Sequence, residues 1–419
     1  MRVSIVVLGD LGRSPRMVYH ALALAARGVS VDLIGYEGSL PRAVIGEPHI
    51  TCHVLGGSVT RGPESAASEP RHPWRAHVTW LAQAASRTLR LCWHLPVVLL
   101  IRTPRPDVVL VQSPPAVPVL AIAWLSARLR AARFIIDWHN RGSSLVALRL
   151  HPGHPVVRLV DGWERFWGRR SDGGLCVSAA LQVHLTECGL CRVHVFRDRP
   201  AARFRLLSAD ERAPVQTRVL GAVCDRLVVV PSSWSPDDDF DLLLAALSHF
   251  AQRADDCMQT GAPVPPVTVV LTGDGPLRAR YEARFDALRS DHLRVLVRWF
   301  SPDDYAALLG TADLGISVHR SASGLDLPMK VCDLLGAAVP VCALDYGPCL
   351  AELARADGGS LLFQTAEELA ARLAGLLGDD EQSRARLDYL RAGAAAASGQ
   401  RWEDGWAQEA WPLLRGASL

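Results

Sequence analysis

At 419 residues, 49% apolar and 6% aromatic, the chain is long enough for two or three globular domains with ample core. Its net charge of +2 hides an asymmetry: residues 1–210 hold 26 basic residues against 14 acidic, and residues 211–419 hold 19 basic against 29 acidic. No run reaches the length of a spanning helix, no signal peptide precedes the first strand, and ten scattered cysteines form no disulfide framework.

The first half alternates strands and helices. Val3 to Leu8 is a continuous apolar run, the pattern of a buried parallel strand. A turn through Gly9, Gly12 and Pro15 leads to a helix from Arg16 to Ala26, which Gly28 ends. Val29–Tyr36, Ile50–Leu55, Asp107–Gln112, Arg133–Trp138, Leu175–Ser178 and Val193–Phe196 continue the strands. Between them, residues 57–73 read as a polar loop. Residues 74–105 then interleave Trp74, Trp80 and Trp93 with Arg75, Arg87 and Arg90 ahead of the apolar run Leu91 to Ile101. Such a segment either lies in a membrane interface or forms a core helix with a basic outer face.

Residues 198–224, broken by Pro200 and Pro214, read as an interdomain connection. A second β/α series follows. Its strands are Leu227–Val230, Val267–Leu271, Leu293–Trp299, Leu314–Val318 and Val339–Ala343, with helices from Asp238, Pro302 and Leu327 and after Pro276. Arg401 to Trp411 reads as a helix whose tryptophans pack on a neighbouring surface. The whole is α/β: two facing Rossmann-like domains with an interdomain cleft, the GT-B architecture. The expected domains are 1–205, 206–395, and 396–419, the last a helix packing back on the first.

Ligands of such sheets sit beyond the strands' carboxyl ends. Gly12, Arg13, Ser14 and Arg16 follow the first strand, where glycine admits a ligand to the backbone and arginine supplies charge. The third glycine of a dinucleotide fingerprint is absent. Asp137 and His139 end another strand. They are either a general base with its partner, or a helix cap and a structural hydrogen bond. Ser233 opens a run that includes Asp237, Asp238 and Asp239, readable as metal ligands or as a helix start that complements the dipole. Gly273 and Gly275 make a nucleotide-contacting turn or an ordinary helix entry.

Of the 45 basic residues only Lys330 is a lysine. It follows His319 and the turn Ser323-Gly324 at the start of a helix that also carries Asp333. Free amides, dipole and lysine suit a diphosphate, and Asp333 suits ribose hydroxyls. The bland alternative is a single codon that escaped a drift toward arginine.

Several blocks together resemble the chitobiosyldiphosphodolichol β-mannosyltransferases. They are Gly9-Asp-Leu-Gly-Arg-Ser-Pro-Arg-Met17 with Tyr19-His20-Ala21, Ser113-Pro-Pro-Ala116, Ile135-Ile-Asp-Trp-His-Asn140, Asp198-Arg-Pro200, Ser233-Trp-Ser-Pro-Asp-Asp-Asp-Phe240 and Ser323-Gly-Leu-Asp-Leu-Pro-Met-Lys330. The resemblance implies an inverting transfer of mannose from GDP-mannose to dolichol-diphosphate-linked chitobiose, at the cytosolic face of the endoplasmic reticulum membrane. Catalysis would fall to Asp137, His139 and Lys330. The donor would meet Ser233, Gly273, Gly275, His319, Ser323, Gly324, Lys330 and Asp333, and the acceptor Gly12, Arg13, Ser14 and Arg16. Other mannosyltransferases are possible partners, a divalent cation is possible without being indicated, and nucleic acid is not a partner. Such enzymes usually carry a hydrophobic anchor before the first strand. None precedes Arg2 in this sequence, so attachment would rest on residues 74–105, on partners or on sequence upstream. The acidic pair common in related GT-B enzymes is spaced as Glu-x7-Glu, whereas Asp326 and Asp333 are seven apart.

Overall fold

The computed structural model describes residues 1–36, 40, 42–55, 88–259, 265–288, 290–321 and 323–416, the side chains of 13, 42, 149 and 255–259 excepted. Two compact units divide the chain: Met1–Arg197 with the segment from Trp406, and Asp198–Gly405. The stretch expected as one C-terminal helix over 396–419 is therefore split between them after Gly405.

In the first unit the strands are β1 (Arg2–Asp10), β2 (Ser30–Tyr36), β3 (Ile50–Val54), β4 (Val108–Ser113), β5 (Arg133–Trp138), β6 (Gly173–Cys176) and β7 (Val193–Val195). All are parallel, in the order β3-β2-β1-β4-β5-β6-β7. Val3, Ile5, Leu110, Val111, Ile135 and Ile136 are fully buried, as apolar runs covered on both faces must be. The order reverses between β1 and β4, which sets the crevice where this sheet can take a ligand.

One strand starts earlier than its composition predicts. β6 begins at Gly173-Gly174, and Ser178 lies outside it as the N-cap of the next helix, accepting from the Leu181 amide at 3.0 Å. The glycines hide the strand, but packing requires them: a Cβ on Gly173 would lie 2.7 Å from the Leu413 side chain.

The second unit holds β8 (Arg226–Pro231), β9 (Val267–Thr272), β10 (Leu293–Arg298), β11 (Leu314–Ser317), β12 (Val341–Leu344) and β13 (Ser360–Phe363), parallel in the order β10-β9-β8-β11-β12-β13. Its reversal lies between β8 and β11. The edge strand β13 has no counterpart in the sequence reading: unlike the equally short β11 and β12 it is only half buried and opens on a serine after two glycines.

The stretch read as a broken connection contains a helix, Ala209–Leu220, with Pro214 inside it. A capping box of Ser208 and Glu211 starts this helix and left-handed Gly221 ends it, and these signals outweigh one lost hydrogen bond.

Of the segment expected at the membrane, Trp74, Arg75, Trp80 and Arg87 lie outside the described residues, as does the polar loop 57–73. From 88 to 97 the chain is helical and passes into a π-helical turn, Val98–Arg102. Leu91, Leu95, Val98 and Leu99 are buried, while Leu89, Trp93 and Ile101 face outward. Among the described residues no helix is long and apolar enough to cross a membrane.

Candidate active site

In the first unit the chemistry gathers at the carboxyl ends of β1, β4, β5 and β7. Pro15 opens the helix Pro15–Ala25 and places Arg16 in its first turn. Arg16 and Asp137 are 2% and 0% exposed. The guanidinium donates from Nε to Asp137 Oδ2 at 2.8 Å and from Nη2 to Oδ1 at 2.9 Å, the bidentate geometry that suits a buried pair. Its remaining nitrogen donates to the Phe196 carbonyl at 3.0 Å.

Two histidines complete the cluster. His139 Nε2 lies 3.0 Å and His20 Nε2 3.2 Å from Asp137 Oδ2. Trp406 Nε1 donates to His20 Nδ1 at 2.8 Å, so the proton of neutral His20 sits on Nε2, on the Asp137 side of the ring. Burial lowers the pKa of His20 and keeps it neutral. Burial pushes Asp137 upward. Arg16, then His139 and His20, outweigh that and hold its carboxyl well below the usual range.

An ionised Asp137, enclosed by these partners, is a weak base but a strong acceptor. It draws the His139 proton onto Nε2 and leaves the lone pair on Nδ1. The His139 side chain is 21% exposed, whereas that of Asp137 is sealed. Of the two residues, His139 is the one able to collect a proton from a ligand.

The remaining residues of the β1 loop serve mainly to shape it. Asp10 accepts from the Gly12 amide at 2.8 Å, and Ser14 Oγ donates to Gln112 Oε1 at 2.8 Å, tying the loops after β1 and β4. The Arg13 side chain lies outside the described residues. Arg16, grouped by sequence with the acceptor contacts, instead has its three guanidinium nitrogens bonded inside the unit. Sequence reasoning missed His20. Its position four residues after Arg16, on the same helical face, is the signal that could have found it.

In the second unit the loops after β8, β9, β11 and β12 converge. Asp238 is their hub. Its Oδ2 accepts from Ser232 Oγ at 2.9 Å and from the Ser233 amide at 3.2 Å; its Oδ1 accepts from Lys330 Nζ at 2.5 Å. A backbone bridge joins Asp238 to His319. Gly273 has φ of 92°, and a Cβ there would stand 1.9 Å from the Ser232 carbonyl oxygen; one on Gly275 would stand 2.0 Å from that of Ser233. Only glycine lets these two loops touch.

On the other side Ser321 Oγ accepts from the Gly324 amide and donates to Asp326. Tyr346 donates to the Asp326 carbonyl at 2.8 Å. His319 Nε2 lies 3.8 Å from the Asp326 carboxylate, and its ring meets Tyr346 edge-on. Burial works against ionised Asp326, yet the nearby His319 ring and the hydrogen bond from Ser321 lower its pKa. Ser323 Oγ accepts from the Leu325 amide at 3.1 Å.

The helix following this turn begins at Met329, after Pro328, and not at Leu327, so Lys330 is its second residue. Proline at the cap position has extended backbone there, and within the first turn the Val331 amide donates to the Pro328 carbonyl at 3.0 Å.

Ser233, Gly273, Gly275, His319, Ser323, Gly324 and Lys330 thus belong to one group of loops. Asp333 has different partners. Its carboxyl accepts from Tyr305 at 3.4 Å, and burial raises its pKa to about 7, with Arg203 opposing. The carboxylates that these loops set beside Lys330 and His319 are Asp238 and Asp326. The three consecutive aspartates diverge: Asp237 accepts from Ser235, Asp238 holds Lys330, and Asp239 caps the helix by accepting from the Leu242 amide.

No family model matches the chain. The chitobiosyldiphosphodolichol β-mannosyltransferase of Homo sapiens is 34% identical over 443 residues, covering 98% of this chain and 91% of that protein. The chain belongs to that family. The family's member from Yarrowia lipolytica is 32% identical over 99% of this chain and 86% of its own length. The UDP-glycosyltransferase TURAN of Arabidopsis thaliana is 34% identical over 99% and 97%. Among solved structures, Anabaena HepE in complex with UDP superposes with a TM-score of 0.66 at 14% identity, over 99% of both chains. The lipopolysaccharide glycosyltransferase WaaG does so at 0.61 and 14%, over 100% of both. These likenesses show the fold, two parallel-sheet Rossmann-like units of the GT-B class. As a member of the β-mannosyltransferase family the chain is a glycosyltransferase.

Proposed function

We propose that the chain moves mannose from GDP-mannose to the terminal sugar of dolichol-diphosphate-linked chitobiose, forming a β-1,4 bond at the cytosolic face of the endoplasmic reticulum membrane. The support for the substrates is the near full-length identity to enzymes named for that acceptor and product. The observation that supports the mechanism is the His139–Asp137–Arg16 arrangement. An α-donor that yields a β-product needs a single displacement with one base. His139 Nδ1 takes the proton of the acceptor hydroxyl as its oxygen bonds to C1. The C1–oxygen bond to GDP breaks, and the diphosphate keeps the electron pair. Ionised Asp137 stabilises the imidazolium that forms, and Arg16 holds Asp137 in place.

The leaving diphosphate gains charge. Lys330, at the opening of the Met329–Gly336 helix, is the cation offered for it, with the Ser323 hydroxyl and the positive end of the helix dipole beside it. Lys330 is paired with Asp238, so donor phosphate competes with that carboxylate for the ammonium.

Purified protein incubated with labelled GDP-mannose and a short-chain lipid-diphosphate chitobiose tests this. A trisaccharide sensitive to β-mannosidase is expected. An α-linked product, or transfer from a UDP-sugar in preference to GDP-mannose, would overturn the reading. Absence of any transfer would favour a scaffolding role.

A further inference from the structure

One helical layer of the first unit turns large apolar side chains, interspersed with arginines, to solvent. It comprises the helix over 88–97 with the Val98–Arg102 turn, the Val119–Leu129 helix and the Pro155–Gly168 helix, which are packed neighbours. Their inner faces bury Leu95, Val98, Val119, Ala123 and Val157. Their outer faces carry Trp93, Ile101, Leu125, Leu129, Leu159 and Phe166, each between 48% and 76% exposed. A single exposed leucine needs no explanation; six large apolar residues on three adjoining helices mark an interaction surface.

Aromatic and basic groups border this face. Trp124 and Trp167 meet across two of the helices at 5.3 Å, and Phe166 packs on Trp167 at 4.9 Å. The Arg170 guanidinium stands 3.5 Å over the Phe166 ring. Beside them opens a cavity of about 510 Å³ whose walls include Trp124, Arg128, Arg169, Arg170 and Arg192, with Asp172 its one acid. Its segments lead into β6 and β7, so it lies at the edge of the sheet opposite His139 and is separate from the proton-transfer cluster.

Exposed leucine and phenylalanine, tryptophan at the margin and a surplus of arginine match the layers of an anionic bilayer: acyl boundary, interface and headgroup phosphate. We infer that this helical layer docks on an anionic phospholipid surface, with Leu125, Leu129, Leu159 and Phe166 entering the headgroup region and a lipid phosphate seated in the arginine-walled cavity. The surface extends well beyond the 74–105 segment that composition singles out, and takes in two helices that composition does not mark. It rests on the membrane reading proposed above and adds the residues that make the contact.

Vesicle flotation of the full chain tests it, using phosphatidylcholine alone and phosphatidylcholine with phosphatidylserine. The protein is expected to float with the anionic vesicles, and the bound fraction should fall as salt rises. The triple variant Leu125→Ser/Leu159→Ser/Phe166→Ser and the pair Arg169→Glu/Arg170→Glu should each weaken flotation on the order of tenfold. Both should keep the thermal midpoint and the transfer rate to a detergent-dispersed acceptor. Competition by millimolar inorganic phosphate in place of lipid would reassign the cavity to free anions and overturn the proposal. So would unchanged flotation of both variants, a wild-type protein that stays with the soluble fraction, or binding to neutral vesicles alone. A wild-type protein that floats as expected yet transfers no sugar would leave the surface standing and defeat only the proposed reaction.

Discussion

At the scale of single residues, the chain's charges are defined by their partners. Lys330 stands out in the sequence because every other basic residue is arginine. Its pairing with Asp238, 92 positions away, does not show there. The Lys330→Ala variant should lose about 10²-fold in kcat, the scale of a missing charge-stabilising donor, in single-turnover assays with GDP-mannose. Near-normal turnover would remove Lys330 from the mechanism.

Asp333 makes a second residue-scale case, because burial raises its carboxyl to about 7. The unfolded chain releases that proton near pH 4. Between the two values the folded state therefore binds more protons, and stability falls as pH rises. Above about 7 the penalty is constant. Asp333→Asn should remove this dependence and gain on the order of 1 kcal/mol at pH 8, the modest size reflecting a carboxyl that retains some solvent contact. Chemical denaturation of both proteins at pH 5.5 and 8, values chosen to bracket about 7, would show it. An equal pH dependence in the two would refute the account.

At the scale of elements, most of the architecture is legible because it is local. Buried parallel strands read as unbroken apolar runs, and β1, β2, β4, β5, β8 and β9 fall where those runs lie. The misplaced or missed elements were shaped by distant packing or lack a continuous buried apolar run. β6 starts on two glycines because the Leu413 side chain occupies the space above Gly173. The Ala209–Leu220 helix tolerates Pro214 because both its ends are capped.

The Gly273 turn carries a prediction at this scale. Replacing Gly273 by Ala puts a methyl against the Ser232 carbonyl and strains a positive φ. The loops after β8 and β9 should separate. Stability should drop by about 1–3 kcal/mol, and GDP affinity should weaken with it, read by denaturation and calorimetry. Intact GDP binding in that variant would show that the nucleotide does not depend on these loops.

At the scale of the whole molecule, the chain leaves its first unit at Arg197 and returns to it at Trp406. The returning segment is more than a tether. Arg133 donates to the Leu413 and Leu414 carbonyls, Arg27 stands 4.7 Å over the Trp406 ring, and Trp406 sets the tautomer of His20. The returning segment thereby reaches the buried cluster of Arg16, His20, Asp137 and His139. Trp406→Phe keeps the ring and deletes the donor. It should cost about 1 kcal/mol in stability and lower kcat several-fold with KM little changed, because His20 can then turn its proton away from Asp137. A variant with the wild-type kcat and pH–rate profile would mean that Trp406 only fills space.

The sequence by itself determined the β/α alternation, the two Rossmann-like units, the loops at the strand ends and the family, since each is written in apolar periodicity or in short contiguous motifs. The tertiary structure alone decided how those loops use their charges. Arg16 and Asp137 stand 121 positions apart and Lys330 and Asp238 stand 92 apart, so each pair forms only when the strand ends converge. Once formed, the buried pairs set which groups remain for chemistry. Arg16 is committed to Asp137, Asp137 orients His139, and Lys330 is held by Asp238, a pairing that no local pattern reveals.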